Sequence, residues 1–246
     1  YGEVRWSQVF EVKGNIFGKY TVTNVAHNLK DVKLLAPTDP VQCWGPGLNF
    51  GDHLTFGGAI SGITKLPEHP DPWHKGRNAV IGADEPIIIP KDSSGDVHYE
   101  GELVAVIGKK CRRASKAEAL DYVLGYTCGN DVSERQWQKS DRTYWRAKGS
   151  DTFAPVGPWV ETKLNPQNVD MQVRLNGKVM QKTNTHNMLF DFATIISTIS
   201  QQVTLYPGDL VFSGTTGTTS AMKPGDVVEV EMSGIGILRN PIKAET

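Results

Sequence analysis

Two glutamates one residue apart, Glu100 and Glu102, lie in His98-Tyr-Glu-Gly-Glu-Leu-Val-Ala-Val-Ile107, against an apolar run. Bare carboxylates beside a core are costly unless something neutralises them. In an extended strand successive side chains alternate faces. His98, Glu100, Glu102, Val104 and Val106 would then share one face, and Tyr99, Leu103 and Ala105 the other. Two like charges this close force a proton onto one of them unless a divalent cation lies between. An all-oxygen ligand set suits Mg²⁺, Mn²⁺ or Ca²⁺ better than zinc or copper, and Mg²⁺ is the leading expectation. An edge strand that turns both glutamates to solvent is the plainer alternative, and the pair alone does not decide.

A second acidic centre, Asp131, lies in Leu124-Gly-Tyr-Thr-Cys-Gly-Asn-Asp-Val-Ser-Glu-Arg-Gln-Trp-Gln138, which has few aliphatic residues for its length. Turned helical, it would bring Asp131, Arg135 and Gln138 to one face at i, i+4 and i+7, joining an acid, a planar cation and an amide. The competing account makes Asp131 a helix N-cap, with Glu134 completing a capping box.

Seven blocks in order resemble the fumarylacetoacetate hydrolase family, from about Val41 to Pro241. They are Gly47-Leu-Asn-Phe-Gly-Asp-His53, Lys75 seven residues before Gly82, Glu100-Gly-Glu102, and Asn130-Asp-Val-Ser-Glu-Arg-Gln-Trp-Gln138. Lys148-Gly-Ser-Asp-Thr-Phe-Ala-Pro-Val-Gly-Pro158, Asn176-Gly177 and Tyr206-Pro-Gly-Asp-Leu-Val-Phe-Ser-Gly-Thr215 complete the set. The resemblance implies that Glu100, Glu102 and Asp131 hold the metal and that a small 2-oxo acid chelates it. Lys148 would stabilise enolate or carboxylate charge. Arg135, Gln138, Thr215 and Lys75 would bind substrate, and His53 would be the general base.

Cleaving members of that family usually carry a glutamate three residues after this histidine, where this chain has Phe56. An imidazole without its carboxylate is less well oriented and a weaker base. Asp52 or Glu68 are candidate substitutes, the latter with His69 carried inward by a Gly- and Pro-rich lid from Gly57 to Asp71. His98 stands where related chains commonly have an acid, and it could ligate or orient a glutamate. The basic segment Lys75-Gly-Arg-Asn78 favours a dianionic substrate. The leading expectation is a metal-dependent hydrolase cleaving a C–C bond in an acylpyruvate-like 2,4-dioxo acid. An isomerase, tautomerase or decarboxylase of an oxo-diacid, needing no activated water, stands second, and a non-catalytic metal-stabilised binding protein third. A homodimer is also implied.

These residues need a scaffold of matching size. The chain has 246 residues, 26 Lys and Arg against 27 Asp and Glu, and three cysteines. A net charge of −1 without a basic run gives no footprint for nucleic acid or an anionic membrane. No apolar run approaches the ~18 residues that span a bilayer, so the expectation is a soluble, cytoplasmic protein. Cys43, Cys111 and Cys128 contain no C-x-x-C pair, which argues against a disulfide framework and a structural zinc site. Cys128 is the thiol nearest the candidate centre and reads as a buried structural one.

Alternation predicts strands over Gly101–Ile107, Met171–Leu175 with an Asn176-Gly177 turn, Leu210–Phe212 and Asp226–Met232. A capping box Ser115-x-x-Glu118 predicts a helix to about Leu124, and Asp191 opens another with Phe192, Ile195, Ile196, Ile199 and Val203 on one face. The expected fold is a β-rich α+β one with few helices, a mixed β-sheet roll of the type the resemblance implies. Residues 1–40 would form a small N-terminal β unit and residues 41–246 the catalytic domain.

Overall fold

The computed structural model describes residues 1–62 and 64–246. A seven-stranded mixed sheet runs in the order Pro72–Gly76, Gln42–Pro46, Leu210–Phe212, Gly101–Ile107, Val123–Asn130, Ala154–Glu161 and Val80–Ile81. A five-stranded sheet packs against it, in the order Lys178–Asn184, Asp170–Leu175, Val227–Met232, Gly236–Ala244 and Ile87–Ile89. The short ribbon of Val97–His98 with Ser133–Glu134 closes one end of the site, and Gly2–Arg5, Gln8–Gly14 and Tyr20–Asn28 form a separate three-stranded antiparallel sheet. The β-rich, mixed-sheet expectation is met.

Gly101–Ile107 lies fourth of seven strands and is buried throughout. The edge-strand account of the two glutamates is therefore wrong. The alternation read from the sequence works as a sorting device: Leu103, Ala105 and Ile107 face the core shared with the second sheet, and Val104 and Val106 join Phe212, Trp73 and Cys43 on the other side. Gly101 sits where the sheets come nearest, since a Cβ there would lie 2.2 Å from Val173 Cγ2. A larger residue between the glutamates would require the Val173 side chain to give way.

The helix Phe192–Gln202 forms as expected, with Asp191 Oδ1 accepting from the Thr194 N–H at 2.8 Å and Ile195, Ile196 and Ile199 in the core. The Asn176-Gly177 turn also forms, with both residues at positive φ. The helix expected after Ser115 does not. Only half of the capping box forms: the Ser115 N–H donates to Glu118 Oε2 at 3.2 Å, while Ser115 Oγ donates to the same oxygen at 2.6 Å instead of accepting from the Glu118 N–H. A 3-10 turn Ala119–Tyr122 follows, and Val123 then enters the central sheet opposite Ile107. Strand pairing of a β-branched residue prevails over the local helix signal. Among the described residues no helix is long and apolar enough to cross a membrane.

Candidate metal centre

Asp131 follows directly on the strand Val123–Asn130, and its N–H donates to the Glu100 carbonyl at 2.8 Å. It lies in no helix and is no N-cap. Ser133–Glu134 are drawn into the ribbon with Val97–His98, and Glu134 caps the helix Arg135–Ser140 by accepting from the Trp137 N–H at 2.5 Å. Asp131 and Arg135 thus meet around Glu100 through this kink rather than through helical spacing.

Carboxylate oxygens of Glu100, Glu102 and Asp131 all lie within 4.8 Å of one another, on side chains that are buried. Three cations surround them. Glu100 Oε1 accepts from Arg135 Nη2 at 2.6 Å, and Glu100 Oε2 from Lys148 Nζ at 3.1 Å. Lys148 Nζ also donates to Asp131 Oδ2 and, at 2.8 Å, to Ser133 Oγ. Lys75, enclosed completely in the strand Pro72–Gly76, places Nζ 2.7 Å from Asp131 Oδ1 and donates to the carbonyls of Val132 at 3.0 Å and of Lys148. Trp73 packs beneath both ammonium groups, with Lys148 Nζ 4.9 Å and Lys75 Nζ 5.5 Å from its ring.

These neighbours set opposite protonation preferences on adjacent acids. Burial works against the charge of Glu100, but Arg135 and Lys148 override it and hold the carboxyl well below the usual range. Burial, then the charges of Asp131 and Glu100, push Glu102 well above it. Among the described residues Glu102 has no ion-pair partner, its Oε2 accepting from the Gly214 N–H at 2.6 Å. Burial lowers Lys75 to about 8, whereas in Lys148 the charges of Asp131 and Glu100 overcome burial and raise it.

The donor set fits a hard divalent cation. Asp131 Oδ1 is buried and faces Lys75 Nζ at 2.7 Å, without a hydrogen bond of good geometry among the described residues. Glu102 is a carboxylate crowded by two others. A divalent cation would relieve both conditions.

His53 ends the turn Gly51–His53 and is 6% exposed. Its Nδ1 bonds the Gly217 carbonyl at 2.5 Å, which requires the proton on Nδ1 and leaves the Nε2 lone pair free in the neutral ring. Nε2 lies 3.9 Å from Glu100 Oε1. None of the acids considered as its partner takes that place. Asp52 is exposed and accepts from Thr216 Oγ1 at 2.6 Å, while Glu68 and His69 are exposed. Phe56 packs instead against His53, with ring centroids 5.9 Å apart.

Arg135 also bonds Gln138 Oε1 at 2.8 Å through Nη1, and its Nε is buried without a hydrogen-bond partner among the described residues. Thr215 Oγ1 donates to the Gly101 carbonyl at 2.9 Å and accepts from Gln181 Nε2 at 3.0 Å. His98 touches neither glutamate carboxylate among the bonds it makes; it pairs with Thr219 and Asp96. Arg77 is exposed and engaged with Asp39 at 2.6 Å. Cys128 faces the core, where burial raises its thiol to about 12.

One residue of the site, Gln181, carries no signal in the sequence, and Asn49 lies in a matched block without a role that the block itself reveals. Gln181, on the second sheet, holds the Thr215–Thr216 loop over Gly101, the strand residue between the glutamates. Asn49 pins the same loop by donating to Ser213 O at 2.7 Å. A lone amide on a strand looks like any surface residue until its long-range partner is known.

The chain is similar to several known proteins. The family model described as fumarylacetoacetate (FAA) hydrolase C-terminal matches residues 42–243. A mitochondrial oxaloacetate tautomerase of Xenopus laevis is 35% identical, covering 86% of this chain and 69% of its own length. The solved structure of a 2-hydroxyhepta-2,4-diene-1,7-dioate isomerase from Mycobacterium marinum is 38% identical with a TM-score of 0.88, covering 97% of this chain and 88% of that one. A maleylpyruvate hydrolase from Sphingobium sp. SYK-6, solved with manganese(II) and pyruvate, is 28% identical with a TM-score of 0.76, covering 90% and 78%.

Proposed function

Since this chain belongs to the fumarylacetoacetate hydrolase family, we propose that it is a divalent-metal-dependent isomerase or tautomerase of a small oxo-diacid, moving a proton on the carbon beside the 2-oxo group. The observation that carries this reading is the partner of His53. A backbone carbonyl orients the ring but, unlike a carboxylate, supplies no full negative charge to support an imidazolium while water attacks. Proton transfer to and from an enolate needs a base but no activated water.

Glu100, Glu102 and Asp131 would hold Mg²⁺, Mn²⁺ or Ca²⁺, a Lewis acid that polarises the 2-oxo and carboxylate oxygens of the substrate. Lys148 keeps a fixed positive charge beside Glu100 and Asp131, where it offsets developing enolate charge. His53 Nε2 takes the proton and returns it. The unpartnered Arg135 Nε and the half-buried Gln138 amide are donors for substrate oxygens. Thr215 holds the loop over Gly101 and would reach substrate by exchanging one of its two bonds. Lys75, being fully enclosed, would orient Asp131 rather than contact substrate.

Hydrolysis of an acylpyruvate-like C–C bond is the second reading. It is favoured by the free Nε2 lone pair of His53 beside the carboxylates and by the likeness to a maleylpyruvate hydrolase. Proton NMR in D₂O with Mn²⁺ or Mg²⁺, and with chelator as control, separates them on oxaloacetate and acylpyruvates. Metal-dependent keto–enol interconversion with deuterium uptake and no fragments is the expected result. Pyruvate plus a free acid would establish the hydrolase, loss of CO₂ a decarboxylase, and metal-raised melting with no turnover a binding protein.

A further inference from the structure

Phe56 and His98 belong to segments that are 42 residues apart, yet their rings stack, with centroids 5.9 Å apart and planes 20° apart. Arg135 Cζ lies 5.5 Å from the centre of the same Phe56 ring. Stacking at this separation and a guanidinium over an aromatic face are both attractive contacts. Behind the stack runs a directed chain of hydrogen bonds. Asp96 Oδ1 can only accept, so His98 Nε2–H donates to it at 2.8 Å. That leaves His98 Nδ1 to accept from the Thr219 hydroxyl at 2.8 Å, and Thr219 Oγ1 to accept from Arg135 Nη2, also at 2.8 Å. The same Nη2 bonds Glu100 Oε1 at 2.6 Å. Every hydrogen in the chain has one direction.

We propose that His98 and Phe56 are positioning residues with separable tasks. Through Thr219, His98 fixes the Arg135 guanidinium on Glu100 and so sets the geometry of a metal ligand. By stacking on His98 and Arg135, Phe56 clamps the turn Leu54–Gly58, and with it His53, to the same wall. The ring thus does by packing what an acid at that position would do by hydrogen bonding. This rests on the proposed metal-dependent function for its purpose but not for its test.

Three variants separate the tasks: His98→Phe keeps the stack and loses the hydrogen bonds, Thr219→Val removes only the relay hydroxyl, and Phe56→Leu removes the ring's contacts with His98, Arg135 and His53 while leaving every hydrogen bond of the relay. Two readouts use no substrate. They are the Mn²⁺ dissociation constant from the EPR signal of free Mn²⁺, and the rate of tryptic cleavage after the exposed Lys65. His98→Phe and Thr219→Val should weaken Mn²⁺ binding roughly tenfold, the size typical of a ligand's outer partners, and leave cleavage unchanged. Phe56→Leu should leave Mn²⁺ binding unchanged and speed cleavage several-fold. Wild-type Mn²⁺ affinity in both relay variants, or an affinity loss that only tracks a lowered urea midpoint, overturns the role of His98. Unchanged cleavage in Phe56→Leu overturns the clamp. Absence of turnover on any oxo acid by the wild type would sink the proposed function and leave these two results standing.

Discussion

Lys75 illustrates how strongly a single side chain can be committed. Its ammonium is wholly enclosed against Asp131 and two carbonyls. Removing one partner of a buried ion pair leaves the other charge uncompensated, at a cost of about 3–5 kcal/mol. Lys75→Met should lose stability of that order in urea melts at neutral pH. A loss below about 1 kcal/mol, the scale of an exposed pair, would mean that Lys75 is no part of the buried charge set. Residue types could be read directly here: three acids, two lysines and an arginine within recurring blocks named the centre. What each cation touches could not. Lys75 was expected at the substrate and lies behind Asp131, and the partner of His53 is the carbonyl of Gly217, an atom no side-chain pattern advertises. Such contacts span many residues, 164 in the case of His53 and Gly217.

At the scale of elements, the approach of the two sheets at Gly101 makes a sharp demand. Gly101→Ala puts a Cβ 2.2 Å from Val173 Cγ2, a clash with another strand's side chain. Overpacking of this kind costs typically about 1–3 kcal/mol, and Glu100 and Glu102 flank the displaced residue. We expect a lower urea midpoint and weaker Mn²⁺ binding in Gly101→Ala, both partly restored by adding Val173→Ala. No restoration would locate the strain elsewhere.

Asp191 gives a prediction with a pH signature. Burial opposes its charge, but the Thr194 hydroxyl, the Thr194 N–H and Lys116 outweigh it and lower the carboxyl from its ordinary 3.8. A depressed acid stabilises the fold above its unfolded value and loses that contribution as pH falls through the folded one. Asp191→Ala should therefore cost about 1 kcal/mol at pH 7 and progressively less below about pH 4. A penalty that does not change with pH would assign the effect to packing. This helix was legible because cap and periodicity agree along eleven residues. The Ser115 box was misleading because its four-residue signal competes with a strand pairing visible only in three dimensions.

For the whole molecule, a cation bound only by the folded state stabilises it by about 2.7 kcal/mol at a hundredfold excess over Kd. At roughly 2–4 °C per kcal/mol for a chain of this size, Mg²⁺ or Mn²⁺ should raise the melting temperature by about 5–10 °C and chelator should reverse it. No shift with either ion would count against the centre. The extent of that loss is limited by the pairing of the site. Glu100 and Asp131 already face Lys148, Arg135 and Lys75, so these two carboxylates do not wait for a metal to be tolerable inside the protein. Stripped protein should keep its far-UV circular dichroism and recover on adding Mn²⁺, unlike a zinc finger, whose fold and metal arrive together. On the proposed function, the chain would fold first and be loaded afterwards, and the supply of divalent ions would govern how much of an already folded population is active.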